Sequence, residues 1–158
     1  MKSVFWLIPG RLAGRAGPVV DPWNLPAIRA AGFTAVLSTD EQCEGACVVG
    51  EGLKHFVHFM PTAYPTNQAL VDRFVGFVRA AALEGLAELA GGGCVLVHCY
   101  AGRDRTGLVL CAMLMELQGF DAASALERVR AVRPSGLTGP GVLDVLREYE
   151  IRLRAGAF

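Results

Sequence analysis

The chain is predicted to be an α/β domain with a mainly parallel, twisted sheet flanked by helices, on three observations. Short β-branched runs alternate with helical runs, and helical runs then accumulate toward the C-terminus. The run Val95 to Cys99 leads through a tight loop into the apolar helical run Leu108 to Leu117, the strand–loop–helix order of a parallel sheet. A length of 158 residues, 53% hydrophobic and 19% charged, suits one domain with a substantial core and excludes a disordered chain. Residues 1–158 are therefore read as a single domain.

Ser3 to Ile8 reads as a strand closed by a Pro9-Gly10 turn, with Leu12-Ala13 as a short second strand. Asp21 is the expected N-cap of a helix with Pro22 at its first position and Gly32 at its end. Phe33 to Leu37 is a buried strand, Ser38 to Gly52 a loop rich in Gly, Glu and Cys, and Lys54 to Met60 another strand. Thr66 is expected to cap a long helix with Leu70, Phe74, Phe77 and Val78 on one face, continuing through Leu83, Leu86 and Leu89 with a bend or break near Gly85. Gly91-Gly92-Gly93 is a loop inside the domain, followed by the central strand Val95 to Cys99. A helix from Arg105 ends at Gly119, Asp121 and Ser124 open another that runs to Arg133, and Pro134-Ser135-Gly136 is a turn. The last helix spans about Pro140 to Arg154, with Val142, Leu143, Leu146 and Tyr149 apolar.

The stretch His98-Cys99-Tyr100-Ala101-Gly102-Arg103-Asp104-Arg105-Thr106-Gly107 carries the chemistry. It sits where the following helix exposes unpaired N–H groups and the positive end of its dipole, a ready anion site. Cys99 at the head of this loop, six residues before Arg105, has two reasons to be a thiolate. Tyr100, Ala101, Gly102, Arg103, Asp104 and Arg105 form the expected phosphate cradle. Gly102 allows close backbone approach or a positive φ. Arg105 grips two phosphoryl oxygens with parallel hydrogen bonds. Thr106 is expected to donate its hydroxyl to the cysteine sulfur, and His98 to hydrogen-bond the loop backbone and favour the thiolate. Thiolate plus phosphate cradle means attack on phosphorus with a cysteinyl-phosphate intermediate.

His-Cys-x5-Arg-Thr-Gly resembles the signature of protein tyrosine and dual-specificity phosphatases. Trp6 to Gly14 is similar to the opening of small atypical dual-specificity phosphatases, and Val71 to Val75 and Arg130 to Pro134 also fit that family. The resemblance implies a protein tyrosine phosphatase-like fold. It also implies hydrolysis of phosphotyrosine, open to phosphoserine and phosphothreonine, with no cofactor. Two positions depart from the family. Its general acid is an Asp in a pattern close to Ile-Pro-Asp-x-x-x-Pro, and Thr62 stands there in Met60-Pro61-Thr62-Ala63-Tyr64-Pro65. A threonine hydroxyl cannot protonate a leaving oxygen efficiently. Asp104 inside the loop is the candidate acid, in a pattern that resembles myotubularin-like and Sac-like lipid phosphatases and a bacterial group with Gly-Lys-Asp-Arg-Thr-Gly. Val142 stands where small dual-specificity phosphatases place a water-positioning Gln. Two rival readings follow: a phosphoinositide or inositol-phosphate phosphatase, favoured by Asp104 and the charge of Arg103, and a catalytically impaired phosphate-binding module, favoured by Thr62 and Val142.

Composition bounds the partners. With 15 basic and 15 acidic residues the net charge is zero, so no basic excess points to nucleic acid or an anionic membrane. The run Val4 to Ile8 is too short for a signal-peptide core, and Leu108 to Met115 is too short to span a bilayer. The expected partner is a phosphorylated protein or a small phosphomonoester; the oligomeric state is left open. Five cysteines, one of them needed as a thiolate, predict a reducing cytoplasm. Cys43, Cys47, His55 and His58 have poor spacing for a structural zinc site, so no metal is expected.

Overall fold

The computed structural model describes residues 3–43 and 45–158, and of Ala46 the backbone alone. Five strands form one sheet: β1 (Phe5–Ile8), β2 (Leu12–Ala16), β3 (Ala35–Ser38), β4 (Lys54–Val57) and β5 (Val95–Cys99). Their spatial order is β1-β2-β5-β3-β4, parallel throughout except for the antiparallel β1–β2 hairpin. Six helices accompany them among the described residues: α1 (Leu25–Ala30), α2 (Gly45–Gly50), α3 (Gln68–Ala90), α4 (Asp104–Gln118), α5 (Ala122–Val132) and α6 (Val142–Ala155). This is the expected α/β architecture.

Side-chain alternation splits the sheet between two cores. Leu12, Leu37, Val95 and Val97 face α3 and α4 in the larger one, with α5 and α6 packed against those helices. Ala13, Val36 and Leu96 face Ile28 of α1, Phe33, Val48 of α2 and Leu53 in the smaller one. β5 is buried at every position because strands cover both its edges and side chains both its faces.

The structure corrects several boundaries. β2 runs to Ala16, beyond the expected Leu12-Ala13, because all five residues pair with β5. α1 begins after Asn24, whose side-chain oxygen accepts from the Ala27 N–H at 2.9 Å. Asp21, the expected cap, instead pairs with Arg15 at 2.5 Å and accepts from the Ser3 hydroxyl. The segment read as a loop from Ser38 to Gly52 contains α2, which buries Val48 under the sheet; Glu44 of that loop lies outside the described residues. β4 stops at Val57, short of Met60. Asn67 caps α3 in place of Thr66, accepting from the Leu70 N–H at 3.0 Å. α3 is unbroken at Gly85, where a Cβ would stand 2.8 Å from the Met113 methyl of α4; the glycine is there for close helix packing.

Candidate active site

The site lies beyond the C-terminal ends of the parallel strands, the usual place for a ligand in an open α/β sheet. β5 ends at Cys99, α4 begins at Asp104, and the chain turns between them through Gly102 at φ 61°. Gly102 is required twice over. The positive φ disfavours a side chain, and a Cβ there would stand 2.4 Å from the Arg15 carbonyl carbon and oxygen.

Successive carbonyls of this loop are held from outside the cavity. The Gly17 N–H donates to the Tyr100 oxygen at 2.9 Å. Arg133 donates from Nη2 to the Ala101 oxygen at 2.8 Å and from Nε to the Gly102 oxygen at 3.1 Å. In a trans peptide the N–H points opposite to the C=O. Fixing these carbonyls therefore turns the N–H groups of Ala101, Gly102 and Arg103 the other way, as in an anion-binding nest. Arg103 occupies the N-cap of α4 without a side-chain cap, so the first amides of that helix stay available.

Cys99, Tyr100, Ala101, Arg103, Asp104 and Arg105 line a cavity of about 180 Å³. Its opposite wall is the segment Pro61 to Pro65, and its floor includes Phe74, Leu108 and Val142. Cys99 is only 3% exposed. Arg105 pairs with Asp40 at 2.9 Å through Nη2, and its Nη1 donates to the Thr39 and Met60 carbonyls at 3.4 Å each. These contacts aim the guanidinium and leave its other N–H groups for a ligand. Asp104 accepts at Oδ1 from the N–H groups of Thr138 (2.9 Å) and Gly139 (3.4 Å), and at Oδ2 from the Tyr64 hydroxyl (3.3 Å). Tyr64 lies so close to Gly139 that a Cβ there would stand 2.2 Å from its ring, and Gly141 meets the Pro65 carbonyl in the same way. The two walls of the cavity mouth are thus packed backbone to ring.

His98 is fully buried; burial depresses its pKa to about 4, so it is neutral near pH 7. As expected it bonds the loop backbone, from Nδ1 to the Cys99 oxygen at 3.3 Å. Two expectations change. The Thr106 hydroxyl is buried and has no partner among the described residues, so it does not reach the cysteine sulfur; its methyl faces Gly14 of β2 instead. The Arg103 guanidinium leaves the cradle and donates to the Ser135 carbonyl (2.8 Å) and the Thr138 hydroxyl (2.9 Å), so Arg103 serves the loop through its backbone. Thr62 and Val142 both line the cavity, as their positions in the sequence suggested. His55 and His58 diverge, one to Ser38 (2.7 Å) and the other to Glu84 (2.7 Å). Sequence reasoning missed Asp40, Tyr64, Arg133 and Ser38, each brought in by tertiary contact.

A buried cysteine at the end of a central parallel strand, followed by a loop with outward-tied carbonyls and an anchored arginine, makes this an α/β protein with the strand–loop–helix site that the sequence predicted. Residues 25–152 match the model of the dual specificity phosphatase catalytic domain. Mouse dual specificity protein phosphatase 12 is 34% identical over 146 residues, which is 90% of this chain and 40% of that protein. The chain thus spans about 40% of the length of that relative. Human phosphatidylglycerophosphatase and protein-tyrosine phosphatase 1 matches more locally, at 35% identity over 66 residues, 42% of this chain and 33% of that protein. Among solved structures, human DUSP28 superimposes with a TM-score of 0.77 at 21% identity, covering 98% of this chain and 97% of that one. Tk-PTP in its active form does so with 0.76 at 25% identity, covering 96% and 98%. The chain belongs to the dual specificity phosphatase family.

Proposed function

We propose that this domain hydrolyses phosphomonoesters, phosphotyrosine first among them, with Cys99 as the nucleophile. The observation that carries the reading is the loop itself, its carbonyls tied outward and Arg105 anchored beside the buried sulfur. The Cys99 thiolate attacks phosphorus while the bond to the leaving oxygen breaks. The inward amides and Arg105 hold the equatorial oxygens, where charge builds in the transition state. The leaving oxygen takes a proton from Asp104; with Oδ1 accepting two backbone N–H groups, Oδ2 is the oxygen that carries it. Water then breaks the S–P bond, releasing phosphate and the thiolate. An aromatic phosphate suits a cavity walled by Pro61, Tyr64 and Phe74. Support for a phosphoinositide substrate is weaker, because the Arg103 guanidinium is bound to Ser135 and Thr138; a solved structure of PTPMT1 in complex with PI(5)P, 20% identical, shares the fold. A reducing compartment suits a chemistry that depends on a thiolate.

Turnover of p-nitrophenyl phosphate is the first test. The purified protein should hydrolyse it, Cys99→Ser should abolish hydrolysis while keeping orthovanadate binding, and Arg105→Lys should weaken both, since a point charge cannot replace the two-pronged grip. Binding without any turnover in the unaltered protein would make it a phosphate-reading module. A panel of phosphopeptides and short-chain phosphoinositides separates protein from lipid substrates.

A further inference from the structure

The smaller-core face of the sheet is apolar along most of its strands, but one polar line crosses it near their C-terminal ends. Arg15 on β2 and Ser38 on β3 are both registered partners of His98 on β5. His55 on β4 lies diagonally from Ser38, whose own partner is Val57. Arg15 is occupied by Asp21 and stacks over Trp23 at 5.0 Å, and Trp23 meets the His98 ring edge-on at 4.6 Å. The other three side chains form a chain of hydrogen bonds. Ser38 Oγ is 2.6 Å from His98 Nε2 and 2.7 Å from His55 Nε2.

Proton counting gives this chain one direction. A carbonyl can only accept, so His98 Nδ1 must carry the hydrogen that reaches the Cys99 oxygen. A neutral His98 then has a bare Nε2, to which the single Ser38 hydrogen must go. Ser38 has no second hydrogen, so His55 Nε2–H donates to it. The opposite tautomer of His98 would set two lone pairs against each other at the Cys99 carbonyl, and Ser38 could then donate only to a His55 that had also changed tautomer.

We propose that Ser38 and His55 are positioning residues for the phosphate loop: together they lock His98 as the Nδ1–H tautomer, and that N–H holds the Cys99 carbonyl outward. The Cys99–Tyr100 peptide then joins the next three, held by Gly17 and Arg133, so the Tyr100 N–H also turns toward the cradle. The functional weight of this device rests on Cys99 being the nucleophile. Its geometry does not. Hydrogen bonds in such a chain polarise one another, so removing the far member weakens the near one.

Imidazole ¹⁵N NMR reads the tautomer directly, and inorganic phosphate binding reads the cradle. In the unaltered protein His98 should show a protonated Nδ1 and a bare Nε2. Ser38→Ala and His55→Leu should both mix the tautomers and weaken phosphate binding about five- to tenfold, the worth of one loop hydrogen bond. His55→Gln keeps an N–H donor and should restore most of the loss. His55 lies on an edge strand and is half-buried, so the fold should tolerate its replacement. A His98 tautomer unchanged in both Ser38→Ala and His55→Leu would overturn the proposal, as would mixed tautomers with phosphate affinity unaltered. Failure of the nucleophile assignment would show separately, as Cys99→Ser retaining turnover.

Discussion

In the proposed mechanism Asp104 does two jobs through two oxygens, and substitutions can separate them. Asn keeps a carbonyl oxygen for the Thr138 and Gly139 amides but cannot supply an acid proton, whereas Ala removes both. Asp104→Asn should therefore cost about 10²- to 10⁴-fold in rate on phosphotyrosine-like esters and far less on aryl phosphates whose leaving groups depart unaided. Equal losses across a leaving-group series would mean that Asp104 only anchors the neighbouring turn. Arg133→Ala should weaken vanadate binding although Arg133 does not itself line the cavity, because the Ala101 and Gly102 carbonyls lose their donors. Unchanged affinity would show that the loop keeps its shape by local geometry alone.

At the scale of elements, the contact between α3 and α4 depends on Gly85. Gly85→Val should destabilise the fold by about 1–3 kcal/mol in urea unfolding, because Met113 and Leu37 stand where the new side chain must go. Its helix propensity alone would change stability in the opposite direction or hardly at all, so a stabilised variant would refute the packing account. The same position shows what the sequence made legible and what it did not. Local signals were sufficient where the cause was local: Gly119 as a left-handed helix end, Asp121 as a cap, the β-branched run before Cys99. Thr66 and Asn67 offer equivalent capping chemistry one residue apart, and only the backbone decides between them. Gly85 reads as a helix breaker until the facing helix is known. The Cys99 loop was readable because seven consecutive residues build it. Asp40 on Arg105 and Arg133 on the loop carbonyls were not, because those pairs are 65 and about 30 residues apart and nothing in either neighbourhood announces the other.

For the molecule as a whole, burial of His98 makes stability depend on pH. Its folded pKa of about 4 lies below its ordinary value of 6.5, so between these the unfolded chain binds a proton that the folded one refuses. Stability should thus fall as pH drops from about 6.5 toward 4, by on the order of 3 kcal/mol from this group, with partly buried His55 adding in the same direction. Glu88, held below the carboxylate range by Lys54 and Thr34, acts lower: its contribution is complete above the usual carboxylate pKa and is lost as pH falls through the depressed one. Urea midpoints at pH 7 and pH 5 should differ for the unaltered protein and differ less for His98→Gln. An equal difference in both would assign the acid sensitivity elsewhere.

The strand order also bears on how a ribosome delivers this chain. β2 and β3 emerge early but are not neighbours, since β5, which begins 57 residues after the end of β3, lies between them. Until then the β1–β2 hairpin and the β3–β4 pair each present an open, apolar edge with nothing to close it. Chains released from the ribosome at residue 93 should be cut readily by protease, and those released at residue 120, after α4, should be the first to resist, because β5 zips both halves at once and α4 covers the face behind it. The strand that ends in the cysteine is therefore also the last piece of the sheet to be translated, so both halves of the sheet are made before the strand that joins them.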